Sequence, residues 1–291
     1  LTINVNTGRY YQLPAYTTMG YRSSPPASEL VNKSNGLRYI QADHFVAGID
    51  YRRNEKSKFT LEGFYKLYNY YPFSVNDSVS LASKGADFGV SGDEAVIPVS
   101  KGKAWGAELY YREKLSRMLD VTVSYTWVRS SFEDKHGDFI PSAWDNRNIL
   151  NITAMATLKK NWDIGVKWRF VGGAPYTPYD ESKSSLIQAW DVRGQGYLDY
   201  NSYNANRLDV FHQLDLRVDK EYYFKKWSLN VYLDIQNLYN FKAKQPDVLV
   251  QVRDVNGIPL IDPNDPTRYV LKYLPSVSGT VLPTIGIIVE L

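Results

Sequence analysis

Apolar and polar residues alternate with a period of two along most of the chain, and the i, i+3, i+4 stripes of amphipathic helices are missing. The pattern is clearest from Trp227 to Asn240. There Leu229, Val231, Leu233 and Ile235 share one face, and Ser228, Asn230, Asp234 and Gln236 share the other. Just upstream, Leu214, Leu216 and Val218 oppose Asp215, Arg217 and Asp219, and a short turn around Phe224, Lys225 and Lys226 joins the two runs. This reads as a β-hairpin. Residues 41–53, 57–71, 103–114, 118–131, 147–159 and 162–172 repeat the alternation, as do Leu1–Thr7 and Val281–Leu291. The prediction is an all-β chain of about ten strands, each ~9–14 residues, longer than the ~5–6 residues usual in soluble sheets.

Connection lengths sharpen the picture. Turns at residues 54–56, 115–117, 160–161 and 224–226 are tight, whereas residues 8–37, 73–102, 132–146, 173–206 and 241–279 are long and rich in Pro, Gly, Asp and Tyr. Strands of ~9–11 residues suffice to cross a bilayer when tilted. Short turns at one end and long loops at the other are the layout of an outer-membrane barrel. With the last strand descending to the periplasmic side, every long loop falls outside the cell and every tight turn inside.

Composition agrees once its limits are recognised. Mean hydropathy is −0.39, which excludes a helical membrane protein but not a barrel. The uncharged run 273–289 contains Pro275, Gly279, Pro283 and Gly286, so it is no spanning helix. The opening LTINVNTGRYY has none of the marks of a secretion leader, and none is expected in it. A net charge of +3 argues for no nucleic-acid partner, and the absence of cysteine removes disulfides, thiolate metal sites and Cys nucleophiles together. The 24 tyrosines are the unusual number: rings with a polar tip suit membrane interfaces.

A soluble β-sandwich also alternates, but two features oppose it. Aromatic residues cluster at strand ends on the apolar face (Tyr51, Tyr111, Trp127, Trp162, Trp227), as an interfacial girdle does. The other face carries both charge signs in mid-strand: Glu62, Lys66, Glu108, Lys167, Arg169, Asp215, Arg217 and Asp234. A polar lumen accommodates these, and hydrocarbon does not.

Several segments resemble the C-terminal part of a TonB-dependent outer-membrane receptor, particularly those of Bacteroides-like bacteria. They are Gly8 to Pro14, the Gln41–Asp50 strand, Ala174 to Pro178, and the run from Tyr200 to Asn240. In the last, Asn206-Arg207-Leu208 leads into Leu214 to Lys220, and the following strand ends in Asn237-Leu238-Tyr239-Asn240. The resemblance implies a ~22-stranded barrel of which this chain, residues 1–291, is a C-terminal part. It implies an outer-membrane location in a Gram-negative cell and contact with outer-membrane lipid. It further implies a plug domain and the energy-coupling protein TonB as partners, neither of which is expected within these residues. The implied function is active uptake of a scarce or large solute (siderophore, glycan, vitamin or peptide), with no catalysis and no cofactor. Leu291 departs from the terminal aromatic residue common in such barrels. Leu1–Thr7 already alternates, so the piece is expected to start within a wall whose neighbouring strand lies elsewhere, and not to close on itself.

The rival reading is a closed ten-stranded porin or protease. For catalysis the chain offers His44, His136 and His212. Asp43 and His44 are adjacent and Asp209 and His212 are three apart, so on strands each pair diverges to opposite faces. Asp254, Asn256 and Gly257, followed by Asp262, Asn264 and Asp265, lack the full ligand spacing of a calcium loop and read as turn chemistry, so no metal site is expected. The candidate ligand contacts are the aromatic residues of loop 173–206: Tyr176, Tyr179, Trp190, Tyr197, Tyr200 and Tyr203. Their rings can stack on a solute while nearby Asp180, Glu181, Asp191, Arg193 and Asp199 orient it. The competing role for these rings is packing of the loops on one another.

Overall fold

Ten long strands form where the alternation runs, and they pair antiparallel in chain order into one sheet. In this computed structural model the described residues are 1–23, 29–84 and 92–291. The strands are β1 Thr2–Gln12, β2 Ile40–Asn54, β3 Ser57–Ser74, β4 Val96–Lys114 and β5 Leu119–Glu133, then β6 Arg147–Leu158, β7 Trp162–Val171, β8 Phe211–Tyr223, β9 Ser228–Gln236 and β10 Leu282–Glu290. Each pairs with its sequence neighbours, so β1 and β10 are the two edges and do not pair with each other. The expectation of an open sheet holds.

Register makes the alternation continuous across strands. Ile3, Ile49, Leu61, Leu109 and Tyr125 lie on one face through successive cross-strand partners. Leu150, Phe170 and His212 continue that row to β8. Across β8 to β10 the same face carries Val218, Leu233 and Ile285. This apolar face has no protein against it: Phe45 is 50% exposed, Leu61 40% and Trp127 40%. An uncovered apolar face of this extent is untenable in water. The opposite face is polar, and a one-residue slip anywhere would exchange the two. Gly286 shows how tightly that face is filled. The Tyr232 ring lies over it where a Cβ would sit, and the Arg217 guanidinium stacks 4.1 Å from the Tyr232 ring centroid.

The structure departs from the sequence reading at strand ends. β1 continues to Gln12, and β4 starts at Val96 although Pro98 and Gly102 read as loop. Pro98, Ser100, Gly102 and Ala104 of β4 are buried while Val99 and Lys101 are exposed, so the alternation continues past the wall into the loop region. β9 stops at Gln236, short of Asn240. The cause is Asn237, which takes a left-handed conformation (φ 53°). Its side chain closes the turn, accepting from the Phe241 amide (2.7 Å) and donating to the Phe241 carbonyl (2.9 Å). The long connection 241–279 is itself a hairpin, Ala243–Gln251 against Leu271–Ser278. Short helices, Glu181–Ser185 and Ile187–Arg193, interrupt the loop 173–206.

Candidate functional site

All five long connections emerge at one end of the sheet, and side-chain bridges tie them together there. Asn32, 0% exposed, donates to the Thr18 carbonyl (2.7 Å) and the Glu94 carbonyl (2.8 Å), and its Oδ1 accepts from the Val96 amide (2.8 Å). This joins the first loop to the second. Asn204, 5% exposed, donates to the Ser83 carbonyl (2.8 Å) and the Pro141 carbonyl (2.9 Å), joining the fourth loop to the second and third. Arg207 donates to the Gly173 carbonyl (3.0 Å) and forms an ion pair with buried Asp145, linking the third and fourth loops again. Within the second loop, Lys84 pairs with Asp77 and Glu94.

The fifth loop rests on the fourth. Arg268 donates to the Ser182 carbonyl and the Ser185 hydroxyl, both at 2.6 Å. The Tyr269 hydroxyl donates to Asp191 (3.1 Å), and that of Tyr273 to Glu181 (2.8 Å). Burial and the Glu181 carboxylate both raise the Tyr273 hydroxyl pKa well above its ordinary value. The five loops therefore form one connected canopy.

The six aromatic residues singled out in the sequence lie within it, in different roles. Trp190 is buried, 7% exposed, on the inner side of its short helix. The Tyr197 hydroxyl donates to the Ala189 carbonyl (3.0 Å), and its ring is flanked by Lys183 (4.4 Å) and Arg193 (4.9 Å). Tyr200 and Tyr203 stack on each other with centroids 5.8 Å apart, and burial raises the Tyr203 hydroxyl pKa. Tyr179 packs against Tyr273, with centroids 6.2 Å apart. Tyr176 pairs with Asn206 in a two-residue ladder. Half-buried rings remain at Tyr176, Tyr179, Tyr197, Tyr200 and Tyr203, of which Tyr203 is covered by its stack with Tyr200. The bridging Asn32 and Asn204 went unnoticed in the sequence, because an Asn in a loop looks the same whether it caps a turn or ties two loops; Asn237 was noticed only as part of a motif, without its turn-closing role.

The other candidates take structural partners. Asp43 is held by Arg9 (2.6 and 3.1 Å), while the neighbouring His44 ring packs on Tyr10 (4.7 Å). His212 Nδ1 meets the Tyr239 hydroxyl (2.7 Å). Asp254 Oδ1 accepts the amides of Asn256 and Ile258 (both 2.8 Å), as a turn residue does. Among the described residues, no group of three or more His, Cys, Asp or Glu is placed to hold a metal ion.

Below the canopy, the polar face holds a shallow cavity of about 280 Å3 lined by Thr153, Lys167, Asp215, Arg217, Asp234 and Gln236. Arg217 pairs with Asp219 (2.8 Å) along the strand. Further along the sheet, Glu62 and Glu108 lie directly opposite each other, which is unfavourable unless a cation faces them.

An uncovered apolar face, a charged face behind it, and a folded canopy at one end define the wall of an outer-membrane-type β-barrel. A family model described as "TonB dependent receptor-like, beta-barrel" matches residues 1–238. The chain belongs to that family, whose members are receptors and transporters, not enzymes. A comparison with curated proteins finds no match.

Among solved structures, the chain is similar to the ferric-catecholate import receptor Fiu of E. coli K12 (TM-score 0.53, 11% identity, 98% of this chain and 33% of that one). It is similar to the ferric yersiniabactin uptake receptor FyuA of Yersinia pestis (TM-score 0.55, 12% identity, 99% and 34%). It is also similar to the ferripyoverdine receptor of Pseudomonas aeruginosa (TM-score 0.54, 15% identity, 83% and 27%). At these identities the likeness is one of fold. The chain spans between 27% and 34% of the length of these receptors.

Proposed function

We propose that this chain is part of the barrel wall of an active importer in the outer membrane of a Gram-negative bacterium, with the loop canopy outside the cell. The solute binds at the canopy and is drawn past the polar face by energy delivered through TonB and a plug domain. The observation that carries the reading is the canopy itself: five loops cross-bridged into one folded layer, on a wall of the TonB-dependent receptor family. Porin loops that merely line an entrance need no such connection. The polar face supports a filled lumen, because Glu62 opposite Glu108 calls for a facing cation that a plug supplies.

Ferric chelates are the favoured solute class, since the three receptors named above are described as taking up ferric complexes. In this reading Tyr176, Tyr179, Tyr197 and Tyr200 contact the solute, while Trp190 and Tyr203 hold the loop that presents them. The test is uptake of a panel of radiolabelled ferric chelates by cells carrying the full-length receptor. Accumulation that stops when the inner-membrane proton gradient is collapsed is expected. Entry that persists without the gradient would move the porin reading ahead. Replacing Tyr176, Tyr179 and Tyr200 with Ala should weaken binding of the accepted chelate, truncated aromatic anchors commonly costing more than ~1 kcal/mol each.

A further inference from the structure

We propose that the outward face of β4 and β5, just beyond the tryptophan rim at the loop end, holds a phosphorylated lipid headgroup through Lys101, Lys103 and Arg129. The proposal rests on the reading of this sheet as a membrane wall. Along β4 the outward positions run Leu109, Ala107, Trp105, Lys103, Lys101, and along β5 they run Val123, Tyr125, Trp127, Arg129. Trp105 and Trp127 mark where the apolar belt ends, as interfacial indoles do. The next outward position on each strand is a cation.

Arg129 is the cross-strand partner of Trp105, and Ser131 that of Lys103. The two cations are therefore diagonal neighbours, at roughly 7–8 Å between strands, close enough for one phosphate to meet both. The Lys103 ammonium stands 4.0 Å from the Phe139 ring centroid and 5.7 Å from that of Trp105. Lys103, Trp105, Arg129, Ser131 and Phe139 line a shallow cavity of about 180 Å3, with the buried Asp145 carboxylate at its base.

The two lysine charges are not spent within the described part of the protein. Among the described residues, Lys101 and Lys103 have no carboxylate in ion-pair range. Glu133 sits on the same face near Phe139 and pairs with neither. Arg129 stands in ion-pair range of buried Asp145 at 3.8 Å, but it shares that one carboxylate with Arg207. At two other outward cations the pattern is the opposite: Arg9 is matched by Asp43 (2.6 Å) and Arg53 by Glu113 (3.3 Å). Surplus cations and aromatic rings at the rim of an apolar belt match a lipid whose phosphate lies at headgroup depth.

The test is native mass spectrometry of the intact receptor released from detergent, titrated with bisphosphorylated lipid A and with its dephosphorylated form. Wild type should prefer the phosphorylated lipid. The K101Q/K103Q/R129Q variant should bind it about 10–100-fold more weakly, while the charge-preserving K101R/K103R/R129K variant should keep the preference. Unchanged binding by the Gln variant, or equal loss in both variants, would overturn the proposal. A spin label on Leu233, remote from the patch, reports lipid contact when the same proteins are reconstituted in bilayers. Its failure would count against the membrane-wall reading, and loss of lipid A binding with the label still in lipid counts only on the patch.

Discussion

Asn204 is the most connected residue of the canopy, and its replacement by Ala tests whether the five loops act as one layer. Its side-chain amide donates to the Ser83 and Pro141 carbonyls at 2.8 and 2.9 Å, in a site only 5% exposed. Ala removes both bonds and leaves the buried Ser83 carbonyl and the half-buried Pro141 carbonyl with one partner fewer, at about 1–3 kcal/mol for each group left unsatisfied. The backbone at Asn204 is left-handed (φ 54°), which Ala tolerates less well by roughly 1 kcal/mol. Allowing for partial relaxation, the local cost is about 3–4 kcal/mol, or a roughly 10²–10³-fold rise in loop opening at ~1.4 kcal/mol per decade.

The readout is amide hydrogen exchange in the intact receptor. The Ala143 amide donates across loops to the Ala82 carbonyl at 3.2 Å, and it should lose protection by about that factor, while amides in mid-wall β5 keep theirs. Asn204→Gly, which removes the side chain without the left-handed penalty, should fall between the two. Unchanged protection at Ala143 in the Ala variant would refute the connected canopy and return the loops to independent behaviour.

Two further outcomes follow from the wall and the loops. Leu61→Arg, on the apolar face, should slow or block insertion into lipid vesicles at a cost of ~2–4 kcal/mol or less near the interface, whereas Thr60→Arg on the polar face should insert normally; equal insertion would put the register in error. In the fourth loop, hydrogen bonds from Ser202 and the Asn201 amide hold the Asp199 carboxyl below its usual range. A depressed carboxylate pKa gives stability that is present at neutral pH and lost as pH falls through the depressed value, so protection of the Asn201 amide, corrected for intrinsic exchange, should drop only in acid below the usual ~3.9. Loss of protection at higher pH would contradict that sign.

The wall was legible in the sequence because one face of every strand meets hydrocarbon and the other meets polar surroundings, so the period of two is enforced residue by residue. Leu229, Val231, Leu233 and Ile235, paired with Val289, Ile287, Ile285 and Pro283, carry that signal most clearly. Strand ends were less legible, since the constraint relaxes where the chain leaves the bilayer. β4 runs on through Pro98 and Gly102 because loops cover its inner face, and β9 stops at Asn237 because one side chain closes a turn. The hairpin within the fifth loop was missed because Lys244, Gln245 and Asp247 alternate with nothing apolar at its start. In the fourth loop, aromatic density pointed to a place but not to roles. Trp190 turns inward, Tyr200 and Tyr203 stack, and Tyr179 meets Tyr273 from a loop about ninety residues away in sequence, a contact that composition cannot announce.

The central claim is that this sheet is a membrane wall with the faces assigned above, and adjacent residues of β9 test it most directly. Leu233 points to the uncovered apolar face and Asp234 to the polar cavity with Lys167, Asp215 and Arg217. Nitroxide labels placed singly at the two positions in the intact receptor, reconstituted in bilayers, should differ sharply in collision with oxygen and with a water-soluble nickel chelate. The account predicts oxygen-accessible, chelate-shielded behaviour at Leu233 and the reverse at Asp234. The same behaviour at both positions, or the opposite assignment, would contradict it.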